Sequence, residues 1–242
     1  QEARKLGLSG VEHPFWEDFP TSDICRVICQ DVLHGLHKAF KDHLLTWHTN
    51  ILGESEIDKR FRRLVKTPGH HCFTGGISKI SQWSMKVARD VESDILGVLS
   101  GAASRRALVA TRAELDFIYT ARYTSMSHSV AKQLHDYNRI YHDNKQVFID
   151  EGGRTGKNGA AIPHFNIPKI HARHHYPDNI LDVGTMDNCS AEITEHSHVD
   201  HIKKAYKATN RKQPVPQMLG YLNRTGGVAG FSPYICWRLN NW

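Results

Sequence analysis

Between Ile24 and Phe148 the apolar residues recur at helical spacing, and this periodicity limits the possible fold more than any other feature of the chain. Val27, Leu33, Leu36, Phe40, Leu44 and Trp47 form a first stripe, which predicts an amphipathic helix from Ile24 to Trp47 with Ser22 or Asp23 as N-cap. The charged residues 54–66 read as a short solvated helix ended by Pro68-Gly69. Three more stripes follow. Ile80, Trp83, Val87, Val91, Ile95 and Val98 make one, closed by Gly101; Leu108, Leu115, Ile118 and Tyr119 make the next; Val130, Leu134, Tyr137 and Tyr141 make the last, reaching Phe148. Such stripes are the core-facing sides of helices. Glycine and proline then dominate: residues 150–168 predict a loop leading into one short buried strand, and a helix follows over 190–209. The tail beyond Pro214 mixes Gly226-Gly227 and Pro233 with exposed Trp237 and Trp242. The expected class is mainly α, with a small α+β remnant.

At 242 residues the chain can bury a sizeable core. A formal charge of +6 favours an anionic partner, nucleic acid first. The five cysteines (Cys25, Cys29, Cys72, Cys189, Cys236) are odd in number and contain no CxxC pair, which argues against a structural zinc knuckle and for reduced, intracellular thiols. There is no apolar run of membrane-spanning length, and the first ten residues carry no apolar signal core.

Residues 164–212 gather seven of the 17 histidines beside acids and a basic tail. Glu192, Glu195 and His198 recur at a spacing that keeps them on one side of a helix, where a hard cation such as magnesium would relieve the repulsion between two carboxylates. The same pattern also suits an acidic first turn complementing the helix dipole, with cations at the far end. Those cations are Lys203, Lys204 and Lys207, followed by Arg211 and Lys212. Upstream, Asp31, His34 and Lys38 share a helical face, with His37, Lys41 and His43 nearby; this is either a polar face or a place to hold a metal or a phosphate. His171, His174 and His175 fall at i, i+3, i+4, a spacing open to zinc or to a plain polar surface. The chain lacks GxGxxG, Walker A, HExxH and nucleophile-elbow motifs, and residues 152–157 lack the glycine-lysine-hydroxyl order of a phosphate loop.

Several blocks in order resemble Plavaka-type transposases, fungal elements related to the CACTA group of DDE transposases. They are His13-Pro14-Phe15-Trp16-Glu17-Asp18, then Asp31-Val32-Leu33-His34-Gly35-Leu36-His37-Lys38, then Gly76 to Trp83. Phe165 to His171, His175-Tyr176-Pro177, Gly184 to Asn188 and Thr194 to Asp200 complete the set. The resemblance implies an RNase H-like core interrupted by a helical insertion. It divides the chain into 1–49 (an N-terminal segment and the Asp-x-x-His helix), 50–160 (the insertion) and 161–242 (the rest of the core with its basic helix and tail). It makes Asp31 the second catalytic acid and Glu192 or Glu195 the last. Magnesium or manganese would be held by Asp31, Glu195 and His198, to activate an oxygen for attack on phosphate.

The first acid of such a triad would precede Gln1, so the chain reads as N-terminally truncated. Gln30 and His196 stand where the family carries proline and arginine. The implied function is a transposase-derived nucleic-acid-binding protein, incomplete for DNA strand transfer and located in the nucleus. Lys38, Lys41, Lys203, Lys204, Lys207, Arg211 and Lys212 would contact the phosphates of DNA, or of RNA. The alternatives are a small metal-dependent nuclease or hydrolase using the surviving acids and histidines, and a recruited interaction module.

Overall fold

A computed structural model describes residues 5, 11, 13–19, 23–156 and 158–240. Ser22, Lys157, Trp242 and most of the first twelve residues, which figured in the expectations above, lie outside them. The chain divides into two units, Gln1–Ser190 and Ala191–Trp242.

The first unit opens with α1 (Ile24–Val27), and the helix expected to run unbroken to Trp47 stops there. It restarts as α2, residues 32–52, because Asp31 caps it. The Asp31 carboxylate accepts the backbone N–H groups of Leu33 (3.0 Å) and His34 (2.9 Å), two of the donors that a helix start leaves orphaned. Val27 is consequently 55% exposed, whereas Leu36, Phe40, Leu44 and Trp47 are buried as the stripe predicts. Two stretches of α2, Leu33–His37 and Phe40–Leu45, wind as wider π-helical turns.

Next come α3 (Glu54–Arg62), α4 (Met85–Leu99), α5 (Arg105–Ala121) and α6 (His128–Asn144). Ser84, Ser104 and Ser127, in extended backbone, cap the last three by accepting the N–H of Val87, Ala107 and Val130. The stripe residues Val91, Ile95, Leu115, Ile118, Leu134 and Tyr141 join one buried cluster with α2 and α3. Each large apolar side chain fully buried there contributes about 1.5–3 kcal/mol.

After α7 (Val147–Asp150), the strand expected near residue 168 does not form. Ile167 is extended, but Pro168 sits in the first turn of a helix, α8 (Pro168–Ala172), where its fixed φ suits a helix and its missing N–H is no loss. A 3₁₀ turn (Arg173–His175), α9 (Tyr176–Val183) and a second 3₁₀ turn (Met186–Cys189) follow. The only β pairing among the described residues is a single bridge between Thr155 and Ala161, so the structure is mainly helical and the α+β remnant has no strand in it.

The second unit is two helices and a turn. α10 covers 192–207 and includes a π-helical stretch, Val199–Lys204; α11 is Pro214–Asn240. Ala205 is fully buried where α10 packs on α11. The tail expected to be irregular is thus a long helix that runs through Gly226-Gly227 and Pro233 and has no buried residue. Among the described residues no helix is long and apolar enough to cross a membrane.

Candidate nucleic-acid interface

Asp31 is half-buried, and its carboxylate takes a third donor, the His34 ring Nδ1, at 2.5 Å. The expected Asp31–His34 association is therefore real, in the service of a helix start. Two motif residues lock this corner. The Tyr176 hydroxyl donates to the Asp31 main-chain carbonyl at 2.9 Å, and a Cβ on Gly35 would collide with that hydroxyl. His37, expected to share the polar face, is instead 1% exposed and bonded through Nδ1 to Glu92 of α4 at 2.7 and 2.9 Å. Sequence spacing gave no sign of that pair, since the partner lies 55 residues away.

Lys38 is exposed on α2. Lys41 lies 5.1 Å above the Trp83 ring, at the mouth of a cleft of about 320 Å³ lined also by Thr46, Asn50, Glu54 and Ser78. Behind it, Asp58 accepts Ile77 N (2.7 Å), Ser78 N (3.0 Å) and Ser78 Oγ (2.5 Å). Burial pushes the Asp58 carboxyl up, but the Ser78 and Ile77 hydrogen bonds outweigh it and hold the group below the usual range. Gly76 has φ +82°, and a Cβ there would strike Asp58, so glycine is required for both reasons.

In the second unit, Glu192 is half-buried while Glu195 and His198 are exposed, all within one helical segment, Glu192–His198. The wider turn over Val199–Lys204 shifts the following cations around the helix from where a straight α-helix would put them. Lys203 and Lys207 are exposed, and among the described residues neither is ion-paired. Lys204 differs: it sits 2.6 Å from Asp200, whose hydrogen bond raises the lysine pKa and lowers its own.

Arg211 and Lys212 project from the turn between α10 and α11. Its backbone is unusual, with Arg211 at φ 64° and Gln213 at φ 46° in the left-handed region, which costs each about 1–2 kcal/mol. Gln217 offsets that cost. Its amide accepts Asn210 N (3.1 Å) and donates to Asn210 Oδ1 (2.8 Å) and Lys212 O (2.6 Å), while Asn210 Oδ1 accepts Lys212 N (2.9 Å). The result is a fixed turn whose two cations face solvent.

Among the described residues no group of three or more His, Cys, Asp or Glu side chains is placed to hold a metal ion. The triple-histidine segment shows why. His171 and His175 meet edge to face at 5.2 Å between ring centroids, and His174 Nδ1 takes a hydrogen bond from Asn138 at 3.1 Å. Nothing among curated proteins or solved structures matches the chain. The Plavaka transposase family model matches residues 1–48, the stretch that holds the Asp31 cap, Lys38 and Lys41, and over that stretch the chain is similar to Plavaka transposases.

Proposed function

We propose that the chain is a transposase-derived nucleic-acid-binding protein that holds DNA by its phosphates in the nucleus and is incomplete for strand transfer. The observation that supports this most is the set of exposed cations Lys203, Lys207, Arg211 and Lys212 around a fixed turn, unpaired among the described residues. Flexible ammonium groups and a guanidinium on a solvent-facing turn neutralise phosphates without reading base edges. Lys38, in the family-matched segment, adds to them. RNA offers the same phosphates and would compete.

On this reading Asp31 and Glu192 or Glu195 descend from the acids of a DDE, RNase H-like core, with 1–49 and 161–242 as its remnants and 50–160 as the insertion. The Asp31 carboxylate now does structural work at the start of α2.

The test is fluorescence anisotropy of a labelled duplex across a salt series of about 50–200 mM. Replacing Lys203, Lys207, Arg211 and Lys212 together with Gln should weaken binding alike for all sequences and reduce the salt slope by up to about 4, roughly one per lost phosphate contact. An unchanged slope and affinity would overturn the proposal.

A further inference from the structure

Two cations of the first unit lie against one aromatic ring with no acid to balance them. Lys145 Nζ is 5.2 Å and the Arg154 guanidinium 5.4 Å from the Phe165 ring centroid, and Arg154 also lies 5.6 Å from the Trp47 ring. Arg154 is 8% exposed and Lys145 half-buried. The polar partners they do have are uncharged: Arg154 Nε donates to the His164 carbonyl, and Lys145 Nζ donates to His142 Nδ1 at 2.6 Å. Among the described residues no carboxylate pairs with either.

Buried charges are ordinarily paired, because desolvating an ion costs several kcal/mol that only a counter-ion or good hydrogen bonds restore. The same unit obeys that rule nearby. Arg173, 3% exposed, is ion-paired with the buried Glu114. At Lys145 and Arg154 the counter-ion is missing, and burial lowers the pKa of both groups.

The surroundings reinforce the deficit of negative charge. Lys145 holds the Nδ1 lone pair of His142, so the neutral ring carries its proton on Nε2, a buried N–H with no acceptor. Burial disfavours the charged form of His43 most, and Lys169 and Arg154 act in the same direction. The acids closest in sequence to these rings, Asp42 and Asp143, oppose that trend but pair with neither Lys145 nor Arg154.

We infer that Lys145 and Arg154, set around Phe165, form a binding site for a phosphate-type oxyanion, supplied either as a free phosphate group or as the backbone of a nucleic acid. The site goes beyond the proposed function, which rests on Lys203, Lys207, Arg211 and Lys212 of the second unit with Lys38. Each cation offers N–H donors the protein leaves unused, and the aromatic ring fixes where those donors sit.

The experiment is thermal unfolding of the full chain in phosphate and in chloride at equal ionic strength, for wild type, Lys145→Met and Lys145→Arg. Phosphate should raise the wild-type Tm by on the order of 2–4 °C. Lys145→Met should lose that rise while keeping its Tm in chloride, and Lys145→Arg should retain it. An equal rise in wild type and Lys145→Met is a bulk salt effect and overturns the inference. Protection by polyglutamate without protection by phosphate overturns it too, in favour of an acidic protein partner.

The source is separated by oligothymidylate binding in the variant lacking the four cations of the second unit. If Lys145→Met weakens that residual binding, the ligand is the nucleic-acid backbone; if it does not, while the phosphate response persists, the ligand is a free phosphate group. Phosphate protection in the four-cation variant also keeps this outcome distinct from failure of the DNA-binding proposal.

Discussion

The Tyr176 hydroxyl donates its hydrogen bond to the carbonyl of Asp31 across 145 residues of chain, joining two motifs that sequence shows only as separate blocks. Tyr176 is fully buried against Phe117, and its ring leaves room at Gly35 for a hydrogen atom and nothing more.

Gly35→Ala should therefore destabilise the protein by about 1–3 kcal/mol through overpacking. Tyr176→Phe alone should cost about 1 kcal/mol for the lost hydrogen bond. In the Tyr176→Phe background the alanine should cost less than in wild type, because the remaining contact to the ring carbon, at 3.7 Å, is an ordinary one. Denaturant midpoints of the four proteins give the coupling; strict additivity would refute the account of Gly35.

His48 makes stability depend on pH. It is fully buried, and burial pulls its pKa from 6.5 to about 4. The Thr111 hydroxyl donates to Ala107 O, so it accepts the His48 Nε2–H at 2.7 Å, and the neutral ring suits the site. The folded value is depressed, so the unfolded chain takes up a proton that the folded chain refuses. The stabilisation is complete above pH 6.5 and is lost as pH falls towards 4, by on the order of 3 kcal/mol. His142, half-buried and also lowered to about 4 by burial and by Lys145, adds in the same direction. His48→Leu should flatten the profile of urea midpoint against pH, and a profile as steep as wild type would show that His48 is not the source.

Lys203 and Lys204 are neighbours with unequal prospects. Lys204 is held by Asp200 at 2.6 Å, and a phosphate must compete for it; Lys203 has no such partner among the described residues. Lys203→Gln should lower the salt slope of DNA binding by about 1, and Lys204→Gln by clearly less. Asp200→Asn should raise affinity by freeing Lys204. Equal slopes for the two lysine variants would mean that the Asp200 pair is not maintained in solution.

Asp31→Ala should lower stability by about 1 kcal/mol, the usual worth of a helix cap, and Asp31→Asn should recover most of it. Supercoiled DNA incubated with the protein and magnesium or manganese should stay intact, with wild type, Asp31→Ala, Glu192→Ala and Glu195→Ala indistinguishable. Nicking that EDTA stops and Asp31→Ala abolishes would instead establish the metal-nuclease alternative.

The helices of the first unit were legible because their stripes are long and regular: Val91, Ile95 and Val98, or Leu134 and Tyr141, can face one core in only one conformation. The break after Val27 was hidden because apolar residues continue through it at helical spacing, while the deciding interaction is one carboxylate bonding two N–H groups. The short buried strand expected after the 150–168 loop does not form, because Pro168 in the first turn decides for helix. In the candidate interface, Lys203, Lys207, Arg211 and Lys212 could be read directly as an excess of charge. The Asp200 pair that sets Lys204 apart needed helix geometry, and the Lys145–Arg154–Phe165 cluster needed tertiary contacts over up to 20 residues.

The Gln217 bracket around the turn also bears on time. A chain that already holds Arg211 and Gln213 in left-handed backbone has no search left to make when a phosphate arrives. On the proposed function, capture would then proceed at the frequency of collisions guided by charge, and severing the bracket with Gln217→Ala would slow arrival while leaving every cation in place.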